Sequence, residues 1–86
     1  MTFEGAVIKE QNVTFALVVV KSHVTESSTQ ANDTIRSFMP VFPGIPVVLM
    51  SQDGFGRPQF YGRRDIVNFL AHVPLQAIPW RKYHLN

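Results

Sequence analysis

Apolar and polar positions divide the first part of the chain into two strand-like runs. Phe3 to Glu10 is rich in β-forming residues, and Val13 to Lys21 follows it after Gln11-Asn12. The second run is apolar on both of its alternating faces, which is typical of a central strand that is covered on both sides. The two-residue break predicts a β-hairpin between the runs.

A helical pattern follows the hairpin. Four apolar residues fall on a single helical stripe: Ala31, Ile35, Phe38 and Met39. Thr25 or Ser27 is placed to cap the start of this helix, and Pro40 and Pro43 end it. We therefore predict a helix over residues 26–39.

The second half repeats the strand–strand–helix order. The apolar run 47–50 predicts a buried strand, the Gly- and Asp-rich residues 51–58 a turn, and residues 59–61 a short edge strand. Residues 63–73 predict a helix with the stripe Ile66, Phe69, Leu70 and Val73.

The predicted order is therefore β-β-α-β-β-α, in one small domain over residues 1–86. We expect an α+β or α/β class with a four-stranded mixed sheet and two helices. The connection from the second strand to the third is long enough for a parallel crossover. Residues 74–86 are predicted to form an irregular C-terminal tail.

Composition narrows the classes of function. The chain has 86 residues, of which 45% are hydrophobic and 16% charged, and its formal net charge is +2. Small domains with much neutral surface tend to gain buried area by self-association, so we expect a homodimer. The absence of cysteine excludes thiol redox chemistry and thiolate metal sites. No signal peptide or membrane-spanning run is visible, so we expect a cytoplasmic protein that does not bind membranes.

One part of the chain resembles a known fold. The resemblance covers residues 44–70 and is carried by Gly44-Ile45-Pro46-Val47-Val48-Leu49-Met50, Asp53-Gly54, Gly62, Ile66 and Phe69-Leu70. This order is similar to the C-terminal half of the thioredoxin fold. The resemblance implies that Pro46 is a cis proline, as in that family. The alternative is that Pro46 opens a strand in the trans form.

The resemblance does not extend to redox activity. That family carries Cys-x-x-Cys after a strand similar to 15–20, and here Lys21-Ser22-His23-Val24-Thr25 stands there. His23, His72 and His84 have no metal-ligand spacing, and Ser22-His23 lacks the geometry of a nucleophile–base pair. We predict no catalytic residue, no cofactor and no metal.

Cations at the start of the second predicted helix are unusual, because the helix dipole disfavours them. Arg63 and Arg64 lie there. They could bind an anion, a nucleic acid or an acidic partner. Alternatively, one of them pairs with Asp65 or stacks on Tyr61.

The tail mixes aromatic and basic residues, at Trp80, Arg81, Lys82 and Tyr83. Three interpretations remain open. Ile78 and Trp80 could cap the core, the segment could form a protein interface, or it could bind a single-stranded nucleic acid.

Two functions follow from these patterns, and an enzyme is a third alternative that would need a pocket containing His23 or the arginines. The first is a non-enzymatic protein-interaction domain that uses apolar surface on the hairpins or the Trp80 tail. The alternative is a nucleic-acid-binding module that uses Arg57, Arg63, Arg64, Arg81 and Lys82. Five cations on one face would favour nucleic acid, and scattered cations beside apolar surface would favour protein interaction.

Overall fold

A mixed β-sheet lies at the centre of the computed structural model, which describes residues 1–10 and 12–85. Within those residues, five strands form the sheet: β1 Thr2–Glu10, β2 Val13–Val19, β3 Val47–Gln52, β4 Pro58–Tyr61 and β5 Arg81–His84. Their order across the sheet is β4-β3-β2-β1-β5. The β2–β3 pair is parallel and the other neighbouring pairs are antiparallel. The predicted hairpin and the predicted parallel crossover are therefore both present.

Three short helices accompany the sheet in the described part of the chain: α1 Ser22–Thr25, α2 Ser28–Phe38 and α3 Arg64–Leu70. A single 3-10 turn follows at Leu75–Ala77. Ser27 is the residue that caps α2, because its side chain accepts a hydrogen bond from the Gln30 N–H at 3.3 Å. Helices as short as α1 and α3 are unstable alone, so packing on the sheet holds them in place.

Both faces of the sheet are covered, as the sequence of β2 predicts. On the side that we call the α2 face, the buried residues are Phe3, Ala16, Val18, Ala31, Phe38, Phe42, Val47 and Leu49. On the opposite side, the α3 face, they are Ala6, Phe15, Leu17, Val48, Met50, Ile66, Leu70 and Ile78. Successive residues of a strand point to opposite faces of the sheet, so they pack in two separate small cores.

Gly5 allows β1 and β2 to approach closely. A Cβ atom at this position would lie 2.5 Å from the carbonyl oxygen of Leu17, which is too close for any other residue. It would also lie 3.5 Å from the ring of Phe3. A glycine is therefore required here for steric reasons, in the middle of the longest strand.

The predicted fold class is confirmed at the level of a small α+β domain with one mixed sheet, and the predicted element count is wrong. The described residues contain five strands instead of four and three helices instead of two. The tail expected to be irregular contains β5 at Arg81–His84, which pairs with β1. Its only apolar side chain is Tyr83, so no alternating pattern marks it as a strand. The additional helix α1 is four residues long and buries none of them.

Pro46 opens β3 in the trans form, since no peptide bond within residues 1–10 and 12–85 is cis. Its carbonyl oxygen accepts a hydrogen bond from the Ala16 N–H at 2.8 Å. This contact begins the parallel pairing of β2 with β3. The cis form implied by the resemblance is therefore wrong, and the alternative, a trans proline that opens a strand, is confirmed.

The elements pack closely. The radius of gyration is 12.1 Å, and a compact chain of this length is expected to have about 12 Å. None of the helices in the described residues is long and apolar enough to cross a membrane.

Candidate functional site

The five cations proposed for nucleic-acid binding lie near opposite edges of the sheet. Arg57 precedes β4, and Arg63 and Arg64 follow it, so these three flank one edge strand. Arg81 and Lys82 lie in β5, which is the other edge strand. Four strand spacings separate the two edges, which is about 19 Å. The fold therefore divides this set into two groups.

Two of the arginines near β4 are held by neighbouring carboxylates. Arg57 Nε donates to Asp53 Oδ2 at 2.8 Å, and its guanidinium lies 5.1 Å from the centre of the Phe55 ring. The Asp53 carboxylate also accepts the N–H groups of Phe55 and Arg57. The bond from the Arg57 N–H is the main reason why the pKa of Asp53 is below its usual value. This cluster fixes the turn between β3 and β4.

Arg63 pairs with Asp65, which confirms one of the two alternatives left open by the sequence. Arg63 Nε and Nη2 donate to the two carboxylate oxygens at 2.7 and 2.8 Å. These bonds lower the pKa of Asp65 to about 2. Arg64 makes no ion pair with any described residue, and lines a groove with Tyr61 and Asn68 instead.

The aromatic side chains of the tail are used in packing. Trp80 packs on the α3-face core, and its Nε1–H donates to the carbonyl oxygen of Leu75 at 3.0 Å. Tyr83 stacks on Phe3 with ring centres 5.0 Å apart and meets Phe42 edge-on at 5.5 Å. Core capping by Ile78 and Trp80 is therefore the interpretation that the contacts match. Both partly buried rings therefore have packing partners in the two cores.

A polar cleft lies at the ends of β2 and β3, beside the Ser22-His23 pair considered from the sequence. It has a volume of about 360 Å³ and is lined by Ser22, Thr25, Glu26, Asp53, Gln59 and Phe60. The hydroxyl of Thr25 contacts that of the fully buried Ser51 at 2.7 Å. Because Thr25 already donates to the Ser22 carbonyl oxygen, Ser51 is the donor in this pair.

The histidine of the Ser22-His23 pair lies outside this cleft. His23 is exposed and does not line it. The Asp53 carboxylate is occupied by three bonds from its own turn. No group of three or more His, Cys, Asp or Glu residues within 1–10 and 12–85 could hold a metal ion.

The outer side of β1 carries a feature that the sequence analysis did not identify. β1 pairs with β2 over Gly5–Glu10, but with β5 only over Thr2–Gly5. Met1 and Leu85 exchange backbone hydrogen bonds at 3.1 and 2.8 Å. In an antiparallel pair the bonding residues alternate, so the odd-numbered residues of β1 direct their backbone groups outwards, away from β2.

Val7 and Lys9 therefore present N–H and C=O groups to the outside with no strand beside them. Neither residue has a backbone partner on that side in the described part of the chain. The chain enters β5 at Arg81, opposite Gly5, and no described strand pairs with residues 7–10 on this side. We call residues 7–10 on the outer side of β1 the open edge.

Two apolar side chains, one basic side chain and one acidic side chain lie along the open edge. Val7 is 43% exposed on the α2 face, next to the exposed Lys9. Ile8 and Glu10 lie on the α3 face. Glu10 also borders a small cavity of about 170 Å³, whose walls are mostly apolar and include Val13 and Phe15.

The other two edges are less suited to pairing. β4 has four residues and begins with Pro58, which has no N–H to donate. Asp53 and Arg57 are joined by a hydrogen bond from the Asp53 N–H to the Arg57 carbonyl oxygen. Counting from this pair, the odd-numbered residues of β4 bond to β3 and the even-numbered residues direct their backbone groups outwards. Phe60 is then the only residue of β4 that presents both backbone groups outwards. β5 carries Arg81, Lys82 and His84, charged and polar side chains of the kind that protect an edge.

Comparisons with known proteins add no relative: no family model, no curated protein and no solved structure matches this chain. The resemblance of residues 44–70 to the thioredoxin fold therefore stays a prediction.

Proposed function

We propose that this chain is a non-enzymatic protein-interaction domain whose docking site is the open edge of β1. An extended segment of a partner would add there as a further strand. The observation that carries the proposal is the pair of unpartnered backbone positions at Val7 and Lys9. Strand addition draws its affinity from main-chain hydrogen bonds and its specificity from alternate side chains.

The remaining surface supports this choice. The tail aromatics pack against the two cores, and His23 does not line the cleft beside Ser22. The open edge includes Val7, an exposed β-branched residue on a hairpin strand. Apolar hairpin surface is one of the two surfaces that the sequence suggested for protein interaction.

Self-association and nucleic-acid binding both stay predictions. The open edge is a surface through which two copies could pair, so a homodimer is compatible with the proposal. Nucleic-acid binding has less support, because its five candidate cations lie near opposite edges and two of them are paired. A continuous basic surface is what phosphate contacts require.

A neutral strand-forming peptide tests the docking site. The probe is an acetylated and amidated peptide of alternating Thr and Val residues, titrated into ¹⁵N-labelled protein. We expect the largest amide shifts at Val7 and Lys9, because their N–H groups gain carbonyl partners. Amides of β4 and β5 should move little.

A matched pair of variants separates the backbone from the side chain. Val7→Pro removes the outward N–H without breaking the β1–β2 ladder, and should weaken peptide binding at least tenfold. Val7→Thr removes the same apolar side chain as Val7→Pro but keeps the N–H. It should therefore retain most of the affinity for the peptide. If the peptide shifts no amide of the open edge, or if both variants lose binding equally, the proposed docking site is wrong.

A further inference from the structure

We infer that the segment docking on the open edge belongs to another protein and reads, from its N-terminus, basic, acidic, apolar, apolar. This inference rests on the proposed function and specifies the chemistry of the partner. The direction of the neighbouring strands and the charges that border the edge support it.

The direction of the added strand follows from the sheet. Both strands beside β1 are antiparallel to it. A segment that continues the line of β5 would run the same way and would meet Glu10 first and Val7 last. Its residues opposite Lys9 and Val7 would exchange four backbone hydrogen bonds with β1. Its other two residues would lie opposite Glu10 and Ile8, where side chains of a non-bonded pair are closest.

The charges bordering the edge set the order of charges in the partner. Lys9 and Glu10 are exposed, and neither makes an ion pair within residues 1–10 and 12–85. They lie on opposite faces because successive residues of a strand alternate. An acidic residue opposite Lys9 and a basic residue opposite Glu10 would each form a favourable cross-strand pair. Apolar residues are the matching choice opposite Val7 and Ile8.

The Glu10 carboxylate favours a basic residue at that position. Glu10 lines a small cavity, but the other lining residues belong to α3 and to β2, which lies on the other side of β1 from the added strand. Asp65 is already held by Arg63, whereas Glu10 makes no ion pair with any described residue. Glu10 is therefore the carboxylate left to bind a cation.

A second copy of the chain complements this edge poorly. In the antiparallel register that pairs Val7 of each copy with Lys9 of the other, Ile8 meets Ile8 and Glu10 meets Ala6. Both charges then face an apolar residue, and no opposite charge is placed beside either of them. Cross-strand pairing therefore favours a segment from a different protein.

Two peptides of identical composition test the inference. The matched peptide is Thr-Lys-Glu-Val-Val-Thr and the control is Thr-Glu-Lys-Val-Val-Thr, both acetylated and amidated. We expect the matched peptide to bind the open edge about tenfold more tightly, since two cross-strand pairs change from repulsive to attractive. The double variant Lys9→Glu, Glu10→Lys keeps the net charge and should reverse the preference.

The outcomes distinguish the inference from the proposed function. Equal binding of both peptides at Val7 and Lys9 would overturn the inference and leave the docking site standing. Absence of binding by these peptides and by the neutral Thr/Val peptide would overturn both. A dimer in solution that Val7→Pro converts to monomer would show that a second copy occupies the edge, and would also overturn the inference.

Discussion

Adjacent residues of the same type have different roles at the start of α3. Arg63 forms a two-bond pair with Asp65, whereas Arg64 makes no ion pair with any described residue. Sequence alone could not decide between them, because both lie within reach of the same carboxylate. Arg63 is the non-helical residue that precedes α3, and its guanidinium reaches both carboxylate oxygens of Asp65.

The pKa of Asp65 reports this pairing. With Arg63 in place, the Asp65 carboxyl should titrate near its lowered pKa of about 2. Because the folded pKa is below the unfolded value, the pair stabilises the fold above about pH 4, and this contribution is lost as the pH falls towards 2. In Arg63→Gln the pKa should rise towards the ordinary range of an aspartate, as measured by NMR titration of the side-chain carboxyl carbon. Arg64→Gln is the matched control and should leave it unchanged; a rise of equal size in that variant would contradict the assigned pair.

At the scale of elements, β5 depends on one side chain. Arg81, Lys82 and His84 are exposed, and Tyr83 is the residue through which the strand packs on Phe3 and Phe42. A four-residue edge strand without such a contact would be only marginally stable. The aromatic contacts therefore attach the C-terminal strand to the α2-face core.

Removing the Tyr83 ring should release β5. We expect Tyr83→Ala to lower the free energy of unfolding by about 3 kcal/mol, because a large aromatic contact is lost. Hydrogen exchange gives the sharper readout. The amides of Phe3 and Gly5, which face β5, should lose protection, while those of Ala6 and Ile8, which face β2, should keep it. Tyr83→Phe preserves the ring and should behave like the parent protein; equal loss of protection on both sides of β1 would indicate general unfolding instead.

Elements with a clear apolar pattern could be predicted from the sequence, and elements held by isolated contacts could not. The alternation in β2 is buried on both faces as the pattern predicts. Of the stripe predicted for α2, Ala31, Ile35 and Phe38 pack in the core, whereas Met39 is 54% exposed. β5 and α1 lack that pattern. The open edge could not be found either, because it depends on how far β5 extends along β1, and no property of Val7 or Lys9 alone reveals that length.

At the scale of the whole molecule, both faces of the sheet are covered, but β1 is paired on its outer side over only part of its length. The two helix-covered faces use the apolar residues of the chain in separate cores. The nine-residue β1 then extends beyond the four-residue β5. The same arrangement places the five candidate cations near the two outermost strands, about 19 Å apart.

This distribution of charge predicts weak binding to nucleic acid. With Arg81 and Lys82 on one edge and Arg57, Arg63 and Arg64 by the other, a single strand can meet only part of the set at once. Arg57 and Arg63 are further neutralised by Asp53 and Asp65. Light scattering with a random single-stranded oligonucleotide should therefore show no change in mass at physiological salt, since few phosphates can be neutralised together. The same measurement without oligonucleotide, at low and high salt, gives the oligomeric state. A complex that forms with the oligonucleotide and dissociates in high salt would contradict this prediction and favour nucleic-acid binding over protein interaction.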